Sequence, residues 1–179
     1  MAMGCAVVAL HIAGRDNSVA DALSRFSIRA RGLGPYPERE LRWKYRNDVQ
    51  RKCGAIDVDM LASDDGRNAW APNFRSPARS AFEGSLPTGR LWWFPRTDMV
   101  ELVLCRIFTS LRENWRGTHL VLLPLLPWKP WYPKLSLLRR EMEWGTNVQL
   151  FADSSSGHRS WIPMGEDIHW AIFSLTENA

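Results

Sequence analysis

Nothing in this sequence repeats and no stretch of it is low in complexity, which sets aside solenoids, propellers and collagen-like arrays. No run of 18 apolar residues occurs, so no segment reads as a membrane-spanning helix. Cysteine is scarce. Cys5, Cys53 and Cys105 stand far apart without any C-x-x-C spacing, a pattern that suggests neither a zinc site nor a disulfide framework and points to a reducing, intracellular setting, nuclear or cytoplasmic. His11, His119, His158 and His169 are scattered with no His-x-x-x-His pair, and neither a Gly-x-Gly-x-x-Gly phosphate loop nor a P-loop is present. The run DSSSGHRS at 153–160 sets Asp, Ser and His side by side, but its composition is that of a polar loop, and a hydrolytic triad is a spatial arrangement that adjacency does not supply.

What is present begins with charge. The formal net charge is +4, and it is unevenly placed. Residues 1–53 carry ten Lys/Arg against five Asp/Glu, a net +5, which leaves thirteen against fourteen, a net −1, for residues 54–179. All of the excess positive charge is therefore N-terminal, as expected of a part that meets phosphate or that forms a solvated helix face. In the first 34 residues Arg15, Arg25, Arg29 and Arg31 face only Asp16 and Asp21, which leaves an organelle-targeting reading open. MAMGCAVVAL lacks a basic n-region and reads as a buried strand rather than a signal core.

Ten tryptophans are many for 179 residues, and several stand close to proline or another aromatic, as in LWWFP (91–95), PWKPWYP (127–133) and SWIP (160–163). Tryptophan covers a large area and its N–H wants a partner, so such clusters serve cores, protein interfaces or base-stacking surfaces.

Periodicity predicts a strand over Val7–Ile12 and a short helix over Val19–Phe26, followed by a Gly/Pro/Arg linker at 27–37. A basic helix is expected over Pro37–Lys52, where Leu41, Tyr45 and Val49 make an apolar stripe, Gly54 serves as C-cap, and Arg39, Arg42, Lys44, Arg46, Arg51 and Lys52 occupy the other faces. Beyond it, strands are expected at 56–63, 90–95, 118–127 and 147–153. Helices are expected over Asp98–Trp115, opened by an Asp98/Glu101 capping box, and over Leu135–Trp144, with Ile168–Leu175 as a last strand or short helix. Alternating strands and helices imply an α/β fold, a mostly parallel sheet of Rossmann-like type with helices on both faces, whose ligands sit beyond the carboxyl ends of the strands.

The stretch HIAGRDNSVADALSR (11–25), with His11, Asn17 and Asp21, resembles the C-terminal end of the RNase H region of gypsy-type and DIRS-type retroelement polyproteins. The resemblance implies that Asp21 corresponds to a metal-binding carboxylate and His11 lies near a proton-shuttling position. Two-metal cleavage requires several carboxylates at fixed separation. Asp21 is the one member of that set present, so residues 1–26 are expected to be a relic strand and helix without nuclease activity or a bound metal.

The segments ERELRWKYRNDVQRKCGAIDVDMLASDDGRNAWAPNFRSPARSAF, LWWFP and THLVLLPLLPWKPWYPKL resemble, in that order, the part that follows RNase H in DIRS-type elements, which is similar to adenine methyltransferases of the Dam type. This resemblance implies a methyltransferase-like domain over 38–179 and S-adenosylmethionine as its cofactor, held by Asp57, Asp59, Ala62, Ser63 and Asn68. The family's active loop, Asn-Pro-Pro-Tyr/Phe, corresponds here to Phe94-Pro95-Arg96-Thr97. Phe94 has no side-chain acceptor for the amine, Arg96 brings donors where a proline belongs, and Thr97 replaces the stacking aromatic. The expectation is therefore a degenerate domain that contacts nucleic acid through its basic helix. The alternative is a structural subunit of a larger protein or ribonucleoprotein assembly, joined through the Trp/Pro surface.

Overall fold

The computed structural model describes residues 39–146, 148–153 and 168–177. The expected strand and helix of 1–26 with His11, Asn17 and Asp21, the linker at 27–37 and most of the polar run after Asp153 lie outside the described residues. Within them the architecture is mixed α/β, with a six-stranded sheet, a separate two-stranded ribbon and two α-helices.

The chain enters as β1 (Arg39–Leu41), turns at Arg42 and continues as α1 (Trp43–Cys53). The expected helix from Pro37 thus starts six residues late. The reason is a partner distant in sequence: β1 pairs antiparallel with β7 (Phe151–Asp153), Leu41 opposite Phe151, and the Arg42 N–H extends the ribbon to the Leu150 carbonyl. Leu41 is buried, as the helical stripe demanded, but from a strand. The far end of α1 is as expected. Gly54 adopts φ 86°, a conformation that glycine reaches without penalty, and donates to the Gln50 carbonyl.

The main sheet has the order β3-β2-β4-β5-β8-β6, built from β2 (Val58–Asp59), β3 (Asn73–Phe74), β4 (Gly89–Trp93), β5 (Gly117–Pro124), β6 (Arg139–Trp144) and β8 (Trp170–Glu177). The pairs β2/β3, β2/β4 and β4/β5 are parallel. β8 is antiparallel to both β5 and β6. The sheet is therefore mixed, with three parallel and two antiparallel pairings, because the last strand enters between β5 and β6. The expected 147–153 strand belongs to the ribbon and not to this sheet. The expected strand at 56–63 shrinks to two residues, since the chain leaves the ladder at Met60 to build the loop that reaches β3.

A further correction is Leu135–Trp144. Instead of a helix, a 3-10 turn (Tyr132–Leu137) leads into β6. Leu135, Leu138 and Met142 have helical spacing, but Met142 and Trp144 alternate into one core as strand residues do, and β8 supplies their backbone partners. Long-range pairing overrides a local pattern here.

The predicted helix at 98–115 is present as α2 (Val100–Ser110) with a 3-10 turn at each end, Thr97–Met99 and Leu111–Glu113. Asp98 pairs with Arg96, and Glu101 is buried and pairs with Lys134. Val100, Val103, Leu104 and Ile107 are each fully buried, and removing such side chains from water stabilises the fold by roughly 1.5–3 kcal/mol apiece.

Strand β5 shows how the two cores share the sheet. Leu120 and Leu122 join α1, Trp92, Trp170 and the ribbon residues Leu41 and Phe151, while Val121 and Leu123 join α2, Trp93 and Trp131. A run apolar on both faces, as read from THLVLLP, is the sequence counterpart of this placement.

Candidate functional site

Strands β3 and β4 lie on opposite sides of β2, so the direction in which the chain adds strands reverses at the β2/β4 boundary. Crevices at the carboxyl ends of strands beside such a reversal are where α/β sheets take ligands. Two segments leave there: Met60 to Trp70 after β2, and Phe94 to Thr97 after β4.

The second segment contains the four residues of the expected active loop. Phe94 is half-buried, stacked on Phe151 at 5.0 Å with planes 10° apart and edge-on to Trp170 at 6.1 Å. Phe151 in turn meets Trp170 at 4.8 Å. Three rings thus fill the space over the end of β4. Pro95 is buried. Arg96 directs its guanidinium to Asp98, with Nε at 3.2 Å from Oδ1 and an Nη at 3.3 Å from Oδ2. Thr97 is exposed and opens the 3-10 turn.

The first segment uses its polar atoms on itself. Asp59 is buried and accepts from the backbone N–H of Trp70 at 2.9 Å and of Leu61 at 3.1 Å, tying both ends of the loop to one carboxylate. Burial pushes its pKa up to about 6, against the opposing pull of the Trp70 and Leu61 N–H groups and the Arg46 charge. Asn68 Oδ1 accepts from the Ser63 N–H at 2.7 Å and lies 3.0 Å from the Ser63 hydroxyl. That hydroxyl also donates to Asp65, which with the Arg67 backbone and side chain holds the Asp65 carboxyl at about 2. Ala62 is buried with its N–H on the Arg75 carbonyl. Asp57 stands at the other end of β2, exposed, accepting from the Arg90 N–H at 2.7 Å. The residues assigned to a cofactor are thus split between the two ends of β2, and those at the carboxyl end close their own loop. β2 is interior, with Asp59 buried and Asp57 exposed. As a donor set for S-adenosylmethionine they do not fit.

The basic helix is partly neutralised from within. Arg46 donates to the Leu41 carbonyl at 2.7 Å and to Glu40 at 2.9 Å, with its guanidinium 5.6 Å from the Trp70 ring. Arg51 pairs with Asp48, Lys52 reaches the Glu141 carbonyl, and Arg42 donates to the Gln149 side chain at 3.1 Å. Lys44 is exposed, 5.5 Å from the Tyr45 ring. Arg39 is placed by its backbone at the start of β1. Arg42, Arg46, Glu40, Gln149 and Phe151 surround a cavity of about 180 Å³ at the start of α1, with the 66% exposed Trp43 as one wall.

Sequence reasoning missed a buried polar chain between the sheet and α2. The Trp93 indole N–H donates to His119 Nδ1 at 3.0 Å, and His119 Nε2 lies 2.9 Å from Ser110 Oγ. The Ser110 hydroxyl donates to the Ile107 carbonyl at 2.7 Å, so His119 must carry its proton on Nε2 and be neutral. Burial, and secondarily the Arg106 charge, pull its pKa down to about 3. The ring stacks on Trp115 at 4.2 Å. No sequence spacing links positions 93, 110 and 119; strand register and the return of α2 do. Among the described residues no cluster of three or more His, Cys, Asp or Glu is arranged to hold a metal ion, and no helix is long and apolar enough to cross a membrane.

No protein-family model matches the sequence, and the search among curated proteins finds no relative.

Proposed function

We propose that this chain is a non-catalytic, Rossmann-like domain of the Dam-type methyltransferase-like kind, derived from a retroelement polyprotein, that holds nucleic acid by its phosphates through α1 and uses no S-adenosylmethionine. The observation that carries the reading is the Phe94–Phe151–Trp170 stack. Methyl transfer to an adenine amine requires hydrogen-bond acceptors at the loop after the strand and room for a flipped base. Three packed rings offer neither, and Arg96 adds a cation next to where positive charge would develop. Five of the six strands of the main sheet run in one direction, with a single reversed strand, and this is compatible with the parallel scaffold that the resemblance implies.

Nucleic-acid contact is supported by the start of α1, where the exposed Trp43 stands beside Arg42 and Lys44. Such an arrangement pairs phosphate neutralisation with an aromatic face and reads no sequence. Duplex binding measured across a salt series tests it. The expected plot of log affinity against log salt falls with a slope that shrinks by about 0.9 for each phosphate contact removed, so Arg42→Ala with Lys44→Ala flattens it by about 1.8. Binding that is absent, or that does not change with salt, refutes the proposal.

A second reading, a structural subunit of a larger assembly, draws on one further observation: Trp128 and Leu137 are 74% and 66% exposed in the Pro-rich segment between β5 and β6. Purification of the chain from its source cells separates the two, since a subunit elutes in a complex of defined size.

A further inference from the structure

Among the described residues, the arginines without an internal partner are not on α1. At the outer edge of the main sheet, β3 borders an open groove of about 800 Å³ lined by Arg75, Arg79, Asn73, Phe74, Thr88 and Asp57 among others. Neither guanidinium, of the half-buried Arg75 or of the exposed Arg79, has a hydrogen bond or ion pair among the described residues. Their backbones are fixed, however. Arg75 N–H donates to the Asp59 carbonyl at 2.7 Å, its carbonyl receives the Ala62 N–H, and Arg79 exchanges backbone bonds with Ser76 across a tight turn. Two unpaired cations on rigid backbone thus stand over one wall. The single carboxylate of the lining, Asp57, is engaged by the Arg90 N–H.

We infer that this groove binds single-stranded nucleic acid, with Arg75 and Arg79 on successive phosphates and the half-buried Phe74 ring as a rest for an unpaired base. The inference rests on the nucleic-acid part of the proposed function and relocates its strongest contact away from α1. Charge complementarity selects a polyanion. Phe74 selects a single strand over a duplex, whose bases are stacked inside and cannot meet an aromatic side chain, and over an acidic peptide, which has no use for one. Asn73 and Thr88 supply neutral hydrogen-bonding groups along the same wall, suited to sugar and phosphate oxygens.

The test compares three full-length chains: the unaltered protein, Arg75→Ala/Arg79→Ala, and Arg42→Ala/Lys44→Ala. Each is titrated by fluorescence anisotropy with a labelled single-stranded oligodeoxynucleotide of roughly ten nucleotides, and with a duplex of the same length, over a salt series. The groove variant is expected to weaken single-strand binding by about tenfold or more and to lower its salt slope by about 1.4, or 0.7 per phosphate contact. The α1 variant is expected to act mainly on the duplex. As both arginine side chains lack partners, the groove variant should melt with the parent protein. Phe74→Leu provides a second reading, a further loss of about fivefold or more for the single strand and none for the duplex. Single-strand affinity unchanged in the groove variant overturns the inference while leaving the α1 reading intact. Polyglutamate competing as well as the oligonucleotide also overturns it. No binding of either nucleic acid by the unaltered chain overturns the proposed function itself.

Discussion

Replacing His119 by glutamine should reverse the way stability responds to mild acid. In the folded chain His119 is neutral, with a pKa near 3; in the unfolded chain it titrates near 6.5. Between these values the unfolded state binds a proton that the folded state refuses, so stability falls as pH falls below 6.5. From pH 7 to pH 5 the loss is about 2 kcal/mol, and it hardly depends on the folded value once that lies well under 5. Asp59 acts oppositely. Its folded pKa, near 6, exceeds the unfolded carboxylate value near 3.8, so the folded state takes the proton first and gains about 1 kcal/mol over the same interval. In the unaltered protein these two contributions oppose one another, so the loss is smaller than His119 alone would give. His119→Gln keeps an acceptor for Trp93 and a donor for Ser110 but cannot titrate. It should be less stable at pH 7 by about 1–2 kcal/mol and then gain stability toward pH 5. Asp59→Asn should show the full loss of about 2 kcal/mol. Urea unfolding at pH 5, 6 and 7 measures all three chains, and groups common to them cancel in the comparison. A glutamine variant with the parent's pH dependence, or an asparagine variant with a shallower one, would refute the assignment of a neutral His119 and a protonatable Asp59.

Two further outcomes are expected. Gly89→Ala should destabilise the fold by about 1–3 kcal/mol, because Gly89 holds φ 105° and an added Cβ would come 2.6 Å from an Asp57 carboxylate oxygen; an unchanged urea midpoint contradicts this. Saturating S-adenosylmethionine should leave the melting temperature where it is, whereas a ligand at a hundred times its dissociation constant adds about 2.7 kcal/mol, so a clear upward shift would show a working cofactor site.

How much of this was legible in the sequence depends on how local each signal was. The buried run of β5 and the apolar stripe of α2 carry their periodicity within a few turns or residues, and both elements are where the pattern puts them. Gly54 likewise announces the end of α1. The two helix errors share one cause, which is pairing between segments far apart in sequence. Leu41 and Met142 sit at helical spacings from their apolar neighbours, but β7 and β8 supply strands for them to join. The reversal of β8 against β5 leaves no mark on its own sequence, since an alternating strand reads the same in either direction. At the site, the chemistry of Phe94-Pro95-Arg96-Thr97 could be judged from residue types alone. That Phe94 turns onto Phe151 and Trp170 could not, because those rings arrive from positions more than fifty residues away. The charge excess of residues 1–53 was visible as a sum. That Arg46 and Arg51 pair with Glu40 and Asp48, while Arg75 and Arg79 have no partner among the described residues, is a matter of tertiary placement.

The central claim is that aromatic side chains of this protein occupy the place where an adenine would have to be methylated. Incubation of the full chain with adenine-containing DNA and methyl-labelled S-adenosylmethionine tests it most directly, with the DNA digested to nucleosides and analysed for N6-methyladenine. The account predicts label no higher than in a protein-free control. Methylated adenine that accumulates with time, and that disappears on substitution of Phe94 or Arg96, would contradict it.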